Sequence, residues 1–301
     1  MKLQVTQENL NRALHSVSRI ANTRSTLPIL SNILVKTIDN RVSIAATNLD
    51  IAITHYIGSK VSQEGSITLP ARLLQDFVGS LPSGVINLTL EDTKLHVKTD
   101  QYESTINGTL ADEYPVMPAI SNGVTWIIEA KLFKQALQQV VFAASGDETR
   151  PVLTSIYMHV TNGALYIAAT DSYRLAEKQL PTKQKDISLL IPANALQEVL
   201  RILSDQDEQV QITHDDQQVQ FTIGDVELVA RLIDGNYPDY QKLIPNNFDS
   251  SAEIERNEFA NIVKVSALFA RESAGSITIK LDEAKQTVSI HSIASQLGEN
   301  T

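Results

Sequence analysis

The segment spanning residues 27–52 returns without a gap 123 positions later, at 150–175. The first copy opens Leu27-Pro28-Ile29-Leu30-Ser31-Asn32-Ile33 and closes Ile44-Ala45-Ala46-Thr47-Asn48. The second opens Arg150-Pro151-Val152-Leu153-Thr154-Ser155-Ile156 and closes Ile167-Ala168-Ala169-Thr170-Asp171. At the same offset Leu10, Ala13, Leu14 and Val17 fall on Phe133, Ala136, Leu137 and Val140, and Tyr114-Pro115 falls on Tyr237-Pro238. Leu69-Pro70-Ala71 answers to Ile191-Pro192-Ala193 one residue off. A period this long is a folding unit rather than a reused motif, so the chain must be built from copies of one module packed on its neighbours. A third copy begins near Ala252, where Phe259, Ile262, Val263 and Ser266 take the places of Phe133, Ala136, Leu137 and Val140, displaced by 126. The modules are therefore expected at 1–122, 123–248 and 249–301. At 301 residues against a period of 123 there are about 2.4 modules, which leads to the expectation that the third is incomplete and that roughly 70 residues follow Thr301.

Within a module the pattern is strand, helix, several strands, a second helix, more strands. Thr6 can cap a helix whose apolar stripe is Leu10, Ala13, Leu14, Val17 and Ile20, at the three-and-four spacing of one buried face. Alternating runs follow at Ile33/Val35/Thr37, at Val42/Ile44 after a turn at Asp39-Asn40, and at Ile51/Ile53. Pro70 is expected inside the first turn of a second helix, where its missing N–H costs nothing, with Pro192 doing the same in the second module. Hairpins are expected across Glu91-Asp92-Thr93 and across Asp215-Asp216. The spacing predicts helices over 7–21, 70–80, 130–145, 192–203 and 256–271. Two helices and about eight strands per module give an α+β fold with helices on one side of antiparallel sheet.

Composition narrows the function. With 43% hydrophobic residues the chain has core material for each module, and its lack of cysteine excludes disulfides, thiolate metal sites and cysteine nucleophiles. No apolar run reaches the roughly 18 residues of a membrane span, and Met1-Lys2-Leu3-Gln4-Val5-Thr6 has no signal-peptide pattern, so a cytoplasmic location is expected. The six histidines are dispersed and no metalloprotease helix, phosphate loop or nucleophile elbow is present. Asp215-Asp216 is more naturally a hairpin tip than a metal pair. Neither an enzyme nor a metal or cofactor is expected.

The net charge is −10, which looks wrong for a nucleic-acid partner. Its distribution differs: the five expected helices carry nine basic residues (Arg12, Arg19, Arg72, Lys131, Lys134, Arg201, Arg256, Lys264, Arg271) against four acidic ones (Glu8, Asp76, Glu198, Glu258), a balance of +5 that leaves −15 elsewhere. Arg12, His15 and Arg19 share the face opposite the apolar stripe, as do Lys131, Lys134, Gln135 and Gln138 on the third helix. Each face alone reads more naturally as a solvated surface, but their repetition suits local attraction of phosphate by an otherwise acidic body.

Several long segments resemble one family, the bacterial DNA polymerase III beta subunit, or DNA sliding clamp. They are Arg24-Ser25-Thr26-Leu27-Pro28-Ile29-Leu30, Leu69-Pro70-Ala71-Arg72, Asn107-Gly108 with Ala111-Asp112-Glu113-Tyr114-Pro115, Ala168-Ala169-Thr170-Asp171-Ser172-Tyr173-Arg174-Leu175-Ala176, and Asn236-Tyr237-Pro238-Asp239-Tyr240. The resemblance spans the whole chain. It implies a DNA clamp fold of tandem domains, each with two helices and two antiparallel sheets, in a head-to-tail homodimeric ring with helices lining the hole. It also implies a processivity factor in the nucleoid that encircles duplex DNA irrespective of sequence. Polymerase, clamp loader and repair proteins would bind it through short linear peptides. A repeat-built peptide scaffold that never meets DNA is the alternative.

By this resemblance Arg24 and Arg150, each in the loop after its module's first helix, face DNA, with Arg12, Arg19, Lys131, Lys134 and Arg201 adding to them. Loop capping or surface ion pairing is the competing account of Arg24 and Arg150. The implied partner-peptide pocket lies between the second and third modules. It takes Leu153, Thr170, Ser172, Tyr173, Arg174 and Leu175, with Pro238, Lys242 and Leu243 from the linker. Without the resemblance Leu153 and Leu175 read as core. The implied ring interface sets Leu73, Leu74, Phe77 and Ile106 against Leu268 and Phe269 of a second copy, although Leu73 or Leu74 reads as core packing too. With its third module incomplete, this chain is expected to close a ring poorly.

Overall fold

The computed structural model describes residues 1–21, 27–184, 187–270, 276–294 and 298–300. The chain divides into two compact units, Met1–Pro238 and Asp239–Thr301. The first repeat runs β1 (Lys2–Thr6), α1 (Gln7–Ala21), β2 (Asn32–Ile38), β3 (Arg41–Thr47), β4 (Ile51–Gly58), β5 (Lys60–Gln63), β6 (Ser66–Pro70), α2 (Ala71–Ser80), β7 (Val85–Glu91), β8 (Lys94–Lys98) and β9 (Glu103–Asn107). The second runs β10 (Val124–Glu129), α3 (Ala130–Val140), β11 (Ser155–Thr161), β12 (Ala164–Thr170), β13 (Leu175–Pro181), β14 (Ser188–Pro192), α4 (Ala193–Ile202), β15 (Gln209–His214), β16 (Gln218–Ile223) and β17 (Val226–Arg231). Each repeat thus has two helices and antiparallel strands in two sheets, the clamp-type α+β arrangement expected.

Local chemistry explains the elements. In β2 the inward positions Ile33, Val35 and Thr37 are buried while their neighbours are at least partly open, the period of two that a half-buried strand requires. Thr6 Oγ1 accepts the Asn9 N–H at 3.4 Å and starts α1. The repeat-matched stripes of α1 and α3 are core: Leu10 is 2% exposed, and Ala13, Leu14, Val17, Phe133, Ala136, Leu137 and Val140 are at 0%. Asp92 adopts φ 53° in the β7–β8 turn, and Asn162-Gly163 (φ 52° and 76°) turns β11 into β12 in the doubly positive form that matches strand twist. At Asp215, Oδ1 accepts the N–H groups of Gln217 and Gln218 at 2.8 and 2.7 Å, so this aspartate shapes a hairpin.

Four helix boundaries differ from expectation, the smallest difference being the end of the fourth helix at Ile202 rather than at Leu203. Pro70 and Pro192 precede their helices instead of entering the first turn, because each is still paired in a sheet, Pro70 with Asn32 and Pro192 with Ser155. The third helix stops at Val140, whose φ of −121° leaves the helical region, and a 3₁₀ turn follows over Val141–Ala143. Beyond it the Ser145 N–H is drawn to Leu153 O at 2.9 Å. The fifth helix, α5 (Arg256–Ala270), is described up to Ala270, so Arg271 lies outside the described residues.

The sheets show how modules join. One sheet has the order β5-β1-β7-β8-β9, another β13-β12-β11-β14, and the largest β10-β15-β16-β17-β4-β3-β2-β6. That eight-stranded sheet crosses the repeat boundary, since β17 of the second repeat pairs with β4 of the first, Leu228 opposite Ile53 and Ala230 opposite Ile51. All four side chains are at most 1% exposed. Polar contacts flank the seam. Arg41 bonds the Asp225 carboxylate and donates to Tyr56 O at 3.0 Å, Tyr56 N–H donates to Asp225 O at 2.9 Å, and Tyr56 OH donates to Glu227 Oε2 at 3.3 Å. A shared sheet of this kind explains why two repeats form one compact unit. In the second unit α5 packs on a three-stranded sheet of β18 (Thr278–Asp282), β19 (Thr287–Ala294) and β20 (Gly298–Asn300).

Candidate functional site

The basic helical residues fall into two groups. Arg12 and Arg19 on α1 and Lys131 on α3 are exposed and have no carboxylate within ion-pair range among the described residues. Lys134 instead holds Asp205 at 2.7 Å and is partly buried, and Arg201 is bonded to Glu198 one turn back on its helix. Lys134 in turn holds the Asp205 carboxyl below the usual carboxylate range. The described helices carry eight basic and four acidic residues, giving +4, one less than expected because Arg271 falls outside. Arg24 also lies outside the described residues.

Arg150 is paired where it stands. Its Nε meets Asp147 at 3.0 Å, and its Nη1 donates to Ser172 Oγ at 3.1 Å. The structure therefore brings Arg150 to the loop Thr170–Arg174, and ion pairing and loop capping describe its contacts. That loop is tightly built. Thr170 Oγ1 donates to Arg174 O at 2.7 Å and accepts the Ser172 N–H at 3.1 Å. Asp171 Oδ1 accepts the N–H groups of Tyr173 and Arg174 at 2.9 and 3.0 Å, and its other oxygen meets Arg174 Nε at 3.0 Å. Those backbone donors, first among the causes, hold the Asp171 carboxyl below its ordinary range. Ser172 sits at φ 80°, and the Arg174 guanidinium lies 5.4 Å above the centre of Phe142. Thr47-Asn48-Leu49-Asp50-Ile51 of the first repeat has the same bonds between side chain and backbone, without the ion pair since Ile51 stands for Arg174, and Leu49 is also at φ 80°.

The two loops differ in exposure. Ile51 is covered by β17 and 1% exposed, and Leu30 is 1% exposed. Their repeat-mates Arg174 and Leu153 are exposed and partly exposed, and Tyr173 is 96% exposed. Leu153, Thr170, Ser172, Tyr173, Arg174, Leu175 and Pro238 belong to the first unit, while Lys242 and Leu243 belong to the second, Lys242 paired with Asp239 at 2.8 Å and Leu243 71% exposed. A cavity of about 640 Å³ beside Trp126, Leu132 and Leu180 includes none of them.

Residues 1–118 match the DNA polymerase III beta subunit N-terminal domain family, and residues 127–239 match its central domain. The chain is 32% identical to the beta sliding clamp of Synechococcus elongatus and 31% identical to that of Bacillus subtilis, with 99% of the chain and 82% of each relative aligned. The chain belongs to the beta sliding clamp family. The crystal structure of the Bacillus subtilis DNA polymerase sliding clamp superposes with a TM-score of 0.93 at 30% identity, covering all of this chain and 82% of that one. A Pseudomonas aeruginosa sliding clamp, solved bound to griselimycin, gives 0.92 at 25% identity. Sliding clamps are accessory processivity factors and not catalysts, and this member carries the tandem domains of the family.

In this clamp the residues assigned to a ring interface are unequally available. Leu74 (2% exposed) and Ile106 (5%) belong to the chain's own core, whereas Leu73 is 54% exposed and Phe77 is half-buried. Ile106 lies on β9, an open edge of its sheet. On α5 Leu268 is 54% exposed and Phe269 intermediate.

The structure also shows a role that sequence reading missed. Tyr114 and Tyr237, which mark the repeat and fall in two of the family segments, each aim their phenol at the loop of their own repeat: Thr47 N–H donates to Tyr114 OH at 3.2 Å and Thr170 N–H to Tyr237 OH at 2.9 Å. Burial pushes both phenols up to about 12. The signal available was the recurrence of Tyr-Pro at the module period.

Proposed function

We propose that the chain, with its modules divided as 1–122, 123–248 and 249–301, pairs head to tail with a second copy in a ring around duplex DNA. The observation that carries this is the seam between repeats. It joins unlike edges, the β4 edge of the first repeat to the β17 edge of the second, and β17 is the repeat-mate of β9. One β9-type edge is therefore left open at β9 itself, and one β4-type edge at β13. A join between unlike edges propagates into a filament unless it closes, and closure covers the open β9 edge with the third module of the other copy. The exposed Leu73 and half-buried Phe77 of α2, facing Leu268 and Phe269 of the other copy, suit that contact.

Arg12, Arg19 and Lys131, with no carboxylate in ion-pair range among the described residues, are the phosphate contacts favoured here, together with Arg24, although Lys131 also feels the Asp205 carboxylate; the paired Lys134, Arg150 and Arg201 contribute less. A few weak contacts suffice. Non-specific dissociation constants of about 10⁻⁴ to 10⁻⁶ M with association at roughly 10⁸ M⁻¹s⁻¹ mean release within about 10 ms, and a closed ring is held by topology instead. Such a ring slides without reading bases.

The Thr170–Leu175 loop, whose Ser172, Tyr173 and Arg174 are exposed, takes extended peptides from the polymerase, the clamp loader and repair proteins, together with Leu153 and Pro238. Part-open apolar side chains next to a rigid hydrogen-bonded loop suit a peptide with aliphatic or aromatic anchors. The decisive experiment loads the chain on nicked circular DNA and passes it through gel filtration. Since this chain is expected to close a ring poorly, slower loss from the circle than from the same DNA linearised is expected, and equal loss from both would leave the peptide scaffold as the better reading.

A further inference from the structure

The loop Thr170–Arg174 has a support that its counterpart in the first repeat lacks. The Tyr237 ring, whose hydroxyl accepts the Thr170 N–H, stacks on Tyr157 with 5.0 Å between centroids. Tyr157 stacks on His159 at 4.4 Å and His159 on Tyr166 at 5.3 Å, the three interplanar angles lying between 14° and 23°. Four nearly parallel rings therefore cross the sheet β13-β12-β11-β14, from Tyr166 on β12 through two residues of β11 to the phenol that pins the loop. The residues 123 positions earlier are Ser43, Lys36, Leu34 and Tyr114. Tyr114 makes the same bond to its loop, but no column stands behind it.

This asymmetry follows what each loop meets. The first loop is held by β17, which lies over Ile51 and donates the Arg231 N–H to Asp50 O at 2.9 Å. In the second, Arg174 is exposed where its repeat-mate Ile51 is covered, whereas Ser172 and Tyr173 are exposed as Leu49 and Asp50 are. A surface loop that orders only on binding loses affinity to that ordering, whereas one held in place beforehand does not. Tyrosine rings are suited to such a brace, since each brings large contact area with few torsions to fix.

We infer that the column Tyr166–His159–Tyr157–Tyr237 is a positioning element of the partner-peptide surface, holding the Thr170–Arg174 backbone in the form a bound peptide meets. This rests on the reading of that loop as the peptide site. Tyr237→Phe removes the acceptor and keeps the stack. Tyr157→Leu installs the residue of the first repeat, and Tyr114→Phe is the matched control.

The test measures binding of a fluorescein-labelled pentapeptide with leucine and phenylalanine anchors to the full chain by anisotropy. Melting temperature and hydrogen exchange over residues 170–175 are followed alongside. Tyr237→Phe, which loses one net hydrogen bond, and Tyr157→Leu, which loses the ring stacked on Tyr237, are each expected to raise Kd about fivefold and to speed exchange in that segment. Tyr114→Phe is expected to lower the melting temperature about as much as Tyr237→Phe while leaving Kd and that exchange unchanged. Unchanged Kd in both column variants, or equal weakening by Tyr114→Phe, overturns the inference and leaves the column a purely structural feature. A wild-type chain that ignores the peptide overturns the site assignment itself, and the inference with it.

Discussion

Arg12 and Arg19 stand on α1 with no carboxylate in ion-pair range among the described residues, while Lys134 spends its charge on Asp205. Replacing both arginines by glutamine is expected to make the salt dependence of binding to linear duplex shallower by about two, because each phosphate contact contributes about 0.9 to the slope. Lys134→Gln should change it by well under one, and anisotropy titrations across several salt concentrations check both. Single residues also set the pH response. His55, His159 and His214 are all held below their ordinary 6.5, with burial the largest cause in each. His55 accepts or donates at Ser16 Oγ (2.9 Å), and the nearby Arg12 and Arg41 lower it further while Asp225 opposes them. The unfolded chain therefore binds more protons below about pH 6.5, so stability is full above that value and falls as pH drops toward the lower folded values. Urea midpoints at about pH 7.5 and about pH 5.5 should differ less in His55→Gln than in the wild type; an equal difference would remove His55 from this account.

Helices and strands were the scale at which sequence spoke most clearly. The α1 and α3 stripes were legible because a helix buries every third or fourth residue, and the alternation in β2 because a strand buries every second. The same periodicity could not choose between adjacent Leu73 and Leu74 on α2. Packing chooses: Leu74→Ala should cost about 2–5 kcal/mol of folding stability by leaving a cavity, whereas Leu73→Ala should stay within about 0.5 kcal/mol in the isolated chain. Urea denaturation separates these outcomes. Element ends were less legible, since Pro70 and Pro192 suit a helix's first turn and a strand's last residue equally, and only the partner strand settles which. The site was half legible. Its residues could be named from the resemblance, but the Arg150–Ser172 bond, the Phe142 ring under Arg174 and the phenol of Tyr237 join positions 22 to 67 residues apart, to which no local pattern points.

Across the whole first unit the seam between β17 and β4 couples the repeats. Val229 lies between two neighbours there, paired across from Gln220 on β16 and Ala52 on β4. A proline at Val229 cannot donate to the ladder and is poorly tolerated in a central strand. Calorimetry of Val229→Pro should therefore show the repeats unfolding in separate steps. A single transition at a lower temperature would mean that the seam is not what couples them.

Sequence alone determined the duplicated module, its buried stripes and the family, because hydrophobic periodicity and a 123-residue self-match are properties of residue order. Which strand edge joins which, which basic residues stay unpaired and what braces the Thr170 loop were decided only by the tertiary structure. Backbone hydrogen bonds carry no side-chain label, so any edge can in principle meet any other, and a charge is neutralised or left free according to which distant residue the fold brings beside it.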